Sequence, residues 1–385
     1  MAEIFLTIFF ITVLLFFLGS GIWVALSMIG VSAIGMMLFT SRPVGDAMAT
    51  TIWGTSSSWT LTALPLFVWM GEILFRTKLS ENLFKGLSPW MQRLPGGLIH
   101  VNVVGCALFA AISGSSAATV ATVGKMSIPE LRKRNYPEKI LLGSLAGSGT
   151  LGLLIPPSII LIIYGVAVQE SIAKLFIAGI IPGIMIALIF MSYVIIWSLI
   201  NKKDMPKILE DYSLLEKLKR SKQLLPVIIL IFGVIGSIYT GIATATEAAS
   251  LGVVGALILS FFQTSLNLET FKSSLLGATK TSCMIAFILA GSTFLSLAMG
   301  FTGLPRNLAL WIQNMDLSPY ILILVLMIFY IILGMFLDGI SAVVLTMAII
   351  EPMIRQAGFD MIWFGIFLVI VVEMAQITPP VGFNL

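Results

Sequence analysis

The sequence is poor in charged residues, in histidine and in cysteine, and each shortage excludes a class of protein. Only 10% of its 385 residues are charged and 58% are hydrophobic, so the chain is not an ordinary water-soluble globule. The single histidine, His100, is expected at the surface, and Cys106 and Cys283 show no metal or redox spacing and are expected in the core. His-Glu-x-x-His, Gly-x-Ser-x-Gly and Walker sequences are missing too, so no enzyme activity is expected.

Apolar segments, in contrast, recur from one end of the chain to the other. The mean hydropathy is +1.05, and several segments reach the roughly 17 to 25 residues that a membrane-spanning helix needs. The first of them, residues 4–18, lacks a basic leader region and a small-residue cleavage site, so we interpret it as a retained helix, with a cleaved signal peptide as the alternative. The composition predicts an all-α polytopic protein embedded in a lipid bilayer.

Basic residues are concentrated in three short stretches, and these set the expected topology. The stretches hold 16 of the 22 Lys and Arg residues, and basic loops favour the cytoplasmic side of a membrane. The N-terminus is therefore predicted to lie outside. The stretches lack interleaved aromatic residues, so no nucleic acid is expected as a partner. Their members are Arg76, Lys78, Lys85 and Arg93; Lys125, Arg132, Lys133, Arg134 and Lys139; and Lys202, Lys203, Lys207, Lys217, Lys219, Arg220 and Lys222.

The first three predicted helices cover residues 4–18, 22–39 and 61–75, and a polar connection that contains Trp53 and Trp59 precedes the third. Residues 81–93 are then predicted either as a solvated connector or as an amphipathic helix on the inner membrane surface. In the second case its lipid-facing residues are Leu83, Phe84, Leu87 and Trp90.

Residues 97–124 are apolar enough to enter the membrane, but the basic stretches on both sides favour the cytoplasm. The segment must then enter and return, as a re-entrant helical hairpin with its tip at residues 113–116. Gly114 provides backbone freedom there. The alternative is an ordinary span that packs through its small residues.

Residues 138–166 are predicted to cross outward as a helix that is broken at Pro156-Pro157. Proline removes an amide donor and restricts the residue before it, so a tandem pair after glycine-rich sequence indicates a discontinuous helix. Residues 174–200 return inward and complete a first repeat over residues 1–200. Residues 201–223 form a cytoplasmic linker.

The second half of the sequence repeats these features. Gly114 and Gly339 are 225 residues apart, and Pro156 and Pro379 are 223 apart. A second repeat over residues 224–385 is therefore predicted, with a hairpin at about 320–354, its tip at 338–341, and a broken helix at 361–385. On the predicted topology four basic residues face outward, Arg42, Lys174, Arg306 and Arg355, and the two repeats are inverted, as in many secondary transporters. The repeat spacing predicts one further helix beyond the end of this sequence; the alternative is a second repeat that closes differently from the first.

Several motifs resemble those of one family, the large membrane subunit of TRAP transporters, the tripartite ATP-independent periplasmic type. They are ISGSSAATVATVG at 112–124, GTLGLLIPPS at 149–158, YG at 164–165, YTGIAT at 239–244, GMFLD at 334–338 and TPPVG at 378–382. The resemblance covers nearly the whole chain in the same order. Two departures are Ala245, where the family usually has proline, and the absence of the family's final helix.

The resemblance implies sodium-driven uptake of a small organic acid across the bacterial inner membrane. C4-dicarboxylates, sialic acid, other sugar acids and keto acids all remain open as substrates. The implied partners are a periplasmic substrate-binding protein and a small membrane subunit of the Q type. The implied mechanism is an elevator, in which a domain that carries both hairpins slides past a fixed scaffold. The coupling ion is Na⁺, and about two ions are inferred from the two similar sites.

The predicted ligands of Na⁺ are oxygen atoms at the two tips and the two breaks, because a small hard cation prefers oxygen. The sodium-binding candidates are Ser113, Gly114, Ser115, Gly147, Thr150, Asp338, Gly339, Ser341, Thr378 and Gly382. The substrate-binding candidates lie beside helix N-termini, which favour an anion, and are Ser116, Pro156, Pro157, Ser158, Pro379 and Pro380.

Three acidic residues need separate interpretations. Asp338 is expected at a tip deep in the membrane, where a bound cation is its natural partner; a place at a water-filled mouth is the alternative. Glu247 fits a helix cap and a functional role equally well. Glu373 is expected to help close the helix packing rather than to bind an ion.

Two other functions are alternatives to a tripartite subunit. A stand-alone carrier that is coupled to Na⁺ or H⁺ and has a related inverted-repeat fold would need neither partner protein. An intramembrane hydrolase is disfavoured, because no second intramembrane aspartate is available to pair with Asp338.

Overall fold

The described part of the chain is almost entirely α-helical. A computed structural model describes residues 2–77, 79–206, 212–303, 307, 318–382 and 384, and no β-strand occurs among them. The first half contains α1 (Ala2–Gly19), α2 (Val24–Phe39), α3 (Val44–Ser56), α4 (Ala63–Phe75), α5 (Leu79–Met91), α6 (Ile99–Ser113), α7 (Ser116–Lys133), α8 (Glu138–Gly149), α9 (Leu151–Leu154), α10 (Ile159–Ala167) and α11 (Ile172–Ile200). The second half contains α12 (Leu214–Ser221), α13 (Leu225–Tyr239), α14 (Ala245–Phe262), α15 (Leu268–Thr302), α16 (Pro319–Gly334), α17 (Gly339–Gln356) and α18 (Met361–Gln376).

Many of these helices are suited to a membrane. Within the described residues, α11, α14, α15 and α17 are each long and apolar enough to cross one, and three bent pairs of helices raise the number of candidate spans to as many as 7. One bent pair joins Glu138–Leu154 to α10 at 41°, across the first double proline. The predicted all-α, polytopic class is confirmed. The predicted outward placement of Arg306 concerns a residue outside the described part of the chain.

Residues 44–56 form helix α3, which was not predicted within the polar connection that precedes the third predicted helix. The hydroxyl groups of Thr50, Thr51 and Thr55 donate to carbonyl oxygens one turn earlier in the same helix. This internal bonding lets polar residues occupy a helix without unpaired groups. Thr55 also forms a 2.9 Å hydrogen bond with Thr293 of α15, which fixes α3 against that helix.

Of the two alternatives for residues 81–93, the structure has the helix, α5, but its apolar face packs on protein rather than lipid. Leu83, Phe84 and Leu87 are all buried in the main hydrophobic core, so their predicted lipid exposure was wrong. The reason is that α6, α7 and α12 cover this face. Trp90 remains 41% exposed and donates a 2.7 Å hydrogen bond to Ser221 of α12.

Two groups of helices make up most of the described part of the molecule, and α1, α5, α12 and α13 pack around them. Helices α2, α3, α4, α14 and α15 pack on one another and are called the first group here; helices α6 to α11 and α16 to α18 also pack together and are called the second group. The groups meet where α4 contacts α6 and where α15 contacts α17. At the latter contact, the hydroxyl of Ser292 donates a 2.6 Å hydrogen bond to the carbonyl of Val344.

Buried tyrosines connect elements within the second group. The hydroxyl of Tyr164 in α10 donates a 2.6 Å hydrogen bond to the carbonyl of Met361, at the start of α18. Tyr330 in α16 hydrogen-bonds to Thr346 in α17 at 2.6 Å. A buried phenol needs such a partner, and the first of these bonds ties the two halves of the sequence together.

Two placements differ from those expected from the sequence. His100 is fully buried rather than at the surface, because α5, α8 and α11 enclose α6, and its Nε2 lies 2.8 Å from the carbonyl oxygen of Pro95. Cys283 is exposed on α15 rather than in the core, because that face of the long helix points away from its neighbours. Cys106 is buried, as predicted.

Candidate functional site

Helices α6 and α7 meet at a tight turn of small residues, residues 113–116, which we call the first tip. Gly114 ends α6 in the left-handed conformation, with φ at 59°, and Ser115 caps the N-terminus of α7. The hydroxyl of Ser113 forms a 2.8 Å hydrogen bond with that of Thr119, which donates to the carbonyl of Ser115 at 2.7 Å. Glycine is the natural residue for such a helix end, since it has no Cβ to strain.

The first tip packs directly against the interruption between α9 and α10, residues 155–158, which we call the first break. The Pro156-Pro157 peptide bond is cis, and Ser158 caps α10. The amide of Ile159 donates a 3.3 Å hydrogen bond to the carbonyl of Gly114. A Cβ atom on Gly114 would lie 2.9 Å from the carbonyl oxygen of Pro157, and one on Gly152 would lie 2.6 Å from that of Ser115. This close approach of backbones therefore requires both glycines.

The second tip lies one turn earlier than the sequence predicted. Helix α16 ends at Gly334, residues 335–338 form the turn, and Gly339 and Ser341 already belong to the first turn of α17. The cause is Asp338, whose Oδ2 accepts a 3.1 Å hydrogen bond from the amide of Ser341. Aspartate is among the preferred N-cap residues, so it starts the helix at its own position.

The second break follows α18, at residues 377–382, and resembles the first. The Pro379-Pro380 bond is also cis, and Gly382 has a positive φ of 57°. The amide of Val381 donates a 3.4 Å hydrogen bond to the carbonyl of Met335 in the second tip. Each double proline is thus followed by a main-chain hydrogen bond to the tip of its own half.

A cavity of about 350 Å³ lies between the two tips and the wall formed by α4 and α15. Ser113, Gly114, Ser115, Ser116, Asp338 and Gly339 are the predicted site residues that line it. The other predicted residues do not: Gly147, Thr150, Ser341, Thr378 and Gly382 among the sodium candidates, and Pro156, Pro157, Ser158, Pro379 and Pro380 among the substrate candidates. The cavity wall includes no Lys, Arg or His among the described residues.

Many of the candidate oxygens already have partners. The carbonyl of Gly147 accepts hydrogen bonds from both the amide and the hydroxyl of Thr150, and the hydroxyl of Thr378 donates to the carbonyl of Met374 at 2.9 Å. Carbonyl and hydroxyl oxygens keep further lone pairs after one such bond. The donor set therefore fits a cation that takes oxygen ligands, with the tip residues best placed beside the cavity.

Two residues that the site prediction omitted also belong to this region. Gln376 lines the cavity, and its Oε1 accepts a 2.9 Å hydrogen bond from Ser116, which joins the first tip to α18 of the second half. Glu72 lines the opposite wall and forms an ion pair with Arg76, whose Nε donates to the hydroxyl of Ser273 at 3.0 Å. The sequence signal was an isolated polar residue in an apolar stretch: Gln376 before the second double proline and Glu72 in the third apolar segment.

Glu373 and Glu247 have contrasting surroundings. Glu373 is 4% exposed and lies against Ser116, but neither carboxyl oxygen has a partner with hydrogen-bond geometry among the described residues. Glu247 is part of a capping box: its carboxylate accepts from the amide of Thr244 at 2.8 Å, and the hydroxyl of Thr244 accepts from the amide of Glu247. Glu247 was predicted to be either a helix cap or a functional residue, and the structure shows the capping contact.

Comparison with known proteins gives a consistent result. A family model described as "Tripartite ATP-independent periplasmic transporter, DctM component" matches residues 9–385. The C4-dicarboxylate TRAP transporter large permease protein DctM of Pseudomonas aeruginosa is 34% identical over 92% of this chain and 82% of its own. The isethionate TRAP transporter permease protein DctMQ of Oleidesulfovibrio alaskensis is 30% identical over 96% of this chain and 58% of its own.

Among solved structures, MtrF of Neisseria gonorrhoeae aligns with a TM-score of 0.50 at 14% identity, over 88% of this chain and 75% of that one. At this identity the likeness concerns the fold alone. Its published description places MtrF in a class of antimetabolite efflux pumps.

Proposed function

This chain belongs to the DctM component family of tripartite ATP-independent periplasmic transporters, and from that premise we propose that it takes up a small organic anion together with Na⁺ across the bacterial inner membrane. The observation that carries the proposal is the convergence of both tips on one cavity whose polar groups are oxygen-rich. The family works as a multi-subunit membrane transporter. The periplasmic binding protein and the small membrane subunit are therefore the proposed partners.

The proposed sodium sites lie at the two tips. Ser113, Ser115 and the carbonyls around Gly114 would hold one ion, and Asp338 with the backbone around Gly339 would hold the other. A carboxylate inside a membrane is costly unless it is paired, and a bound cation is the partner that the cavity could provide. Gly147, Thr150, Ser341, Thr378 and Gly382 lie off the cavity wall and would support these sites rather than face the solute.

The proposed solute site is the space between the tips. Helices α7 and α17 both begin there, so their N-terminal amides favour a carboxylate or sulfonate group. Ser116 is the substrate candidate that faces the cavity, and Gln376 holds its hydroxyl. The relatives named above transport a C4-dicarboxylate and isethionate by their names, which suggests a small organic acid here as well.

The proposed mechanism is an elevator with inverted repeats. The second group carries both tips and both breaks, and the first group forms the opposite wall of the cavity. The N-terminus is proposed to lie in the periplasm. Two Na⁺ ions with one monoanion would move one net positive charge inward, which a membrane potential of 100 mV favours by about 2.3 kcal/mol.

The test is uptake into proteoliposomes that contain this chain and its small-subunit partner, with an inward Na⁺ gradient and a panel of labelled organic acids. We expect uptake to require both Na⁺ and the cognate periplasmic protein, and the panel to identify the solute. Uptake by this chain alone would favour a stand-alone carrier instead. Uptake that is indifferent to Na⁺ would contradict the proposed coupling.

A further inference from the structure

A second and larger cavity, of about 760 Å³, continues from the site at the two tips. Phe75 of α4 and Ala121 of α7 line both cavities, so the two share a wall. Helix α7 runs along this path: Ala118 faces the first cavity, Ala121 both, and Lys125 the second. Residues at this spacing lie on one face of a helix.

The second cavity differs from the first in its charge. Its described lining includes four basic residues, Lys85, Lys125, Arg134 and Arg220, and one acidic residue, Glu130. The negative charge of Glu130 is divided between two basic residues, because its carboxylate lies 4.0 Å from Arg134 and 3.4 Å from Lys133. The wall therefore has an excess of positive charge, whereas the wall of the first cavity has no basic side chain among the described residues.

Two of these basic residues differ in how they are held. Arg220 is positioned by Tyr212: its guanidinium lies 4.2 Å from the centre of the ring and donates to the phenol oxygen at 3.1 Å. Lys125 is exposed and, within the part of the chain that the structure describes, forms no ion pair. Nine residues of helix, about 14 Å, separate it from Ser116 at the first tip, so its ammonium group is too far away to contact a solute held there.

We propose that this basic cavity is a second anion site, on the cytoplasmic side of the path, which receives the organic anion after it leaves the tips. The identity of the physiological solute rests on the proposed function. The attraction of an anion does not, because it follows from the basic side chains of the lining. Lys125 attracts the anion and Arg220 forms the rim, and low-affinity, charge-based binding keeps the anion from returning to the tips without trapping it. Basic residues that serve only to set topology have no need to line a cavity.

The experiment measures the electrostatic potential of the cavity without any transport step. In the Cys283→Ala background, with buried Cys106 left in place, Ala121→Cys puts a thiol on the wall that both cavities share. Membrane vesicles of known orientation that contain the assembled transporter are treated with an anionic or a cationic methanethiosulfonate, both membrane-impermeant. The measured quantity is the ratio of the two rates of modification.

We expect the anionic reagent to react faster, and only from the cytoplasmic side. Adding Lys125→Gln should lower the rate ratio about threefold, since a unit charge one helical turn away, roughly 6 Å, has an effect of that size in moderately salty water. Lys139→Gln is the matched control, because Lys139 belongs to the same basic stretch and does not line the cavity. It should leave the ratio unchanged.

Two results would overturn the proposal. One is a ratio that Lys125→Gln does not change, or that Lys139→Gln lowers equally. The other is modification from the periplasmic side alone. Because the rates need neither Na⁺ nor uptake, these outcomes are distinct from a failure of sodium-coupled transport in proteoliposomes.

Discussion

Asp338 combines a structural and a proposed functional role that substitution can separate. Its carboxylate caps α17 by accepting the amide of Ser341, and it also faces the cavity between the tips. Capping needs only an oxygen acceptor, whereas strong attraction of a cation needs the negative charge. The two roles therefore make different demands on this one side chain.

Asp338→Asn should keep the cap and remove the charge. We expect near-normal thermal stability of the purified complex and loss of sodium-dependent uptake. Asp338→Ala should lose uptake and also about 1 kcal/mol of stability, because the N-cap hydrogen bond is gone. Differential scanning measurements with uptake assays at several Na⁺ concentrations distinguish the two; unchanged sodium-driven uptake in the Asn variant would remove Asp338 from the site.

Gly114 makes a second prediction at the scale of a single residue. Gly114→Ala adds a methyl group to a residue with positive φ, 2.9 Å from the carbonyl oxygen of Pro157. We expect at least about 1 kcal/mol of lost stability, from backbone strain and separation of the tip from the break, and a large loss of transport.

The matched control is Gly143→Ala in α8, where an added Cβ meets no atom within 4 Å. It should leave transport unchanged and raise stability slightly, since alanine favours a helix. Both variants are compared by melting temperature and initial uptake rate. Equal effects of the two substitutions would mean that contact between the tip and the break is unimportant.

Individual helices show what the sequence could and could not predict. The helices on either side of the first double proline, and the helix before the second, were predicted because proline and glycine disrupt helices locally. Helix α3 was missed because its threonines bond within the helix, which composition does not reveal. The burial of Leu83, Phe84 and Leu87 depends on α6, α7 and α12, so the amphipathic pattern of α5 could not distinguish a lipid surface from a protein surface.

The candidate site was predictable to a similar extent. Both tips were located by their small polar residues. The second tip lies one turn before its predicted position, because Asp338 caps the following helix, whereas it was predicted to be part of the turn. Gln376 was missed because its partner, Ser116, lies 260 residues away in the sequence. Contacts of that kind depend on how the two halves pack, which no local pattern specifies.

The start of α14 gives a prediction for a whole element. Thr244→Ala should destabilise the protein by about 1 kcal/mol, because it removes the side-chain acceptor of the capping box, whereas Thr244→Ser should be nearly neutral. Sodium dependence of uptake should not change in either variant. If Glu247→Gln abolished that dependence at unchanged melting temperature, Glu247 would have a functional role as well as a capping one.

At the scale of the whole molecule, the two groups of helices face each other across the cavity. An elevator requires that these groups slide, while contacts within each group persist. Close approaches of the backbone identify one pair of residues at the contact between the two groups and one pair within the first group. A Cβ on Gly71 of the first group would lie 3.3 Å from the Cα of Ser113 in the second, and a Cβ on Gly291 would lie 3.4 Å from the Cα of Ala25, both in the first group.

Cross-linking these pairs tests the motion in the Cys283→Ala background. The double variant Gly71→Cys with Ser113→Cys should form a disulfide on oxidation and lose transport. Reduction should return its uptake to the rate that the same variant had before oxidation. Gly291→Cys with Ala25→Cys should also form a disulfide, and uptake should be the same in its oxidised and reduced states, because crowding of the new Cβ against the carbonyl oxygen of Ala25, at 2.8 Å, is present in both. Undiminished transport by the oxidised first pair would show that the two groups do not move past each other there.

The main-chain hydrogen bonds between tips and breaks have an evolutionary consequence. The amide of Ile159 donates to the carbonyl of Gly114, and the amide of Val381 donates to that of Met335. These links therefore do not depend on the side chains of the donor residues. Side chains that face the cavity can therefore be exchanged by mutation while the backbone around them keeps its shape. A transporter built in this way can acquire a new solute through a few substitutions in the cavity wall, with little loss of stability along the way.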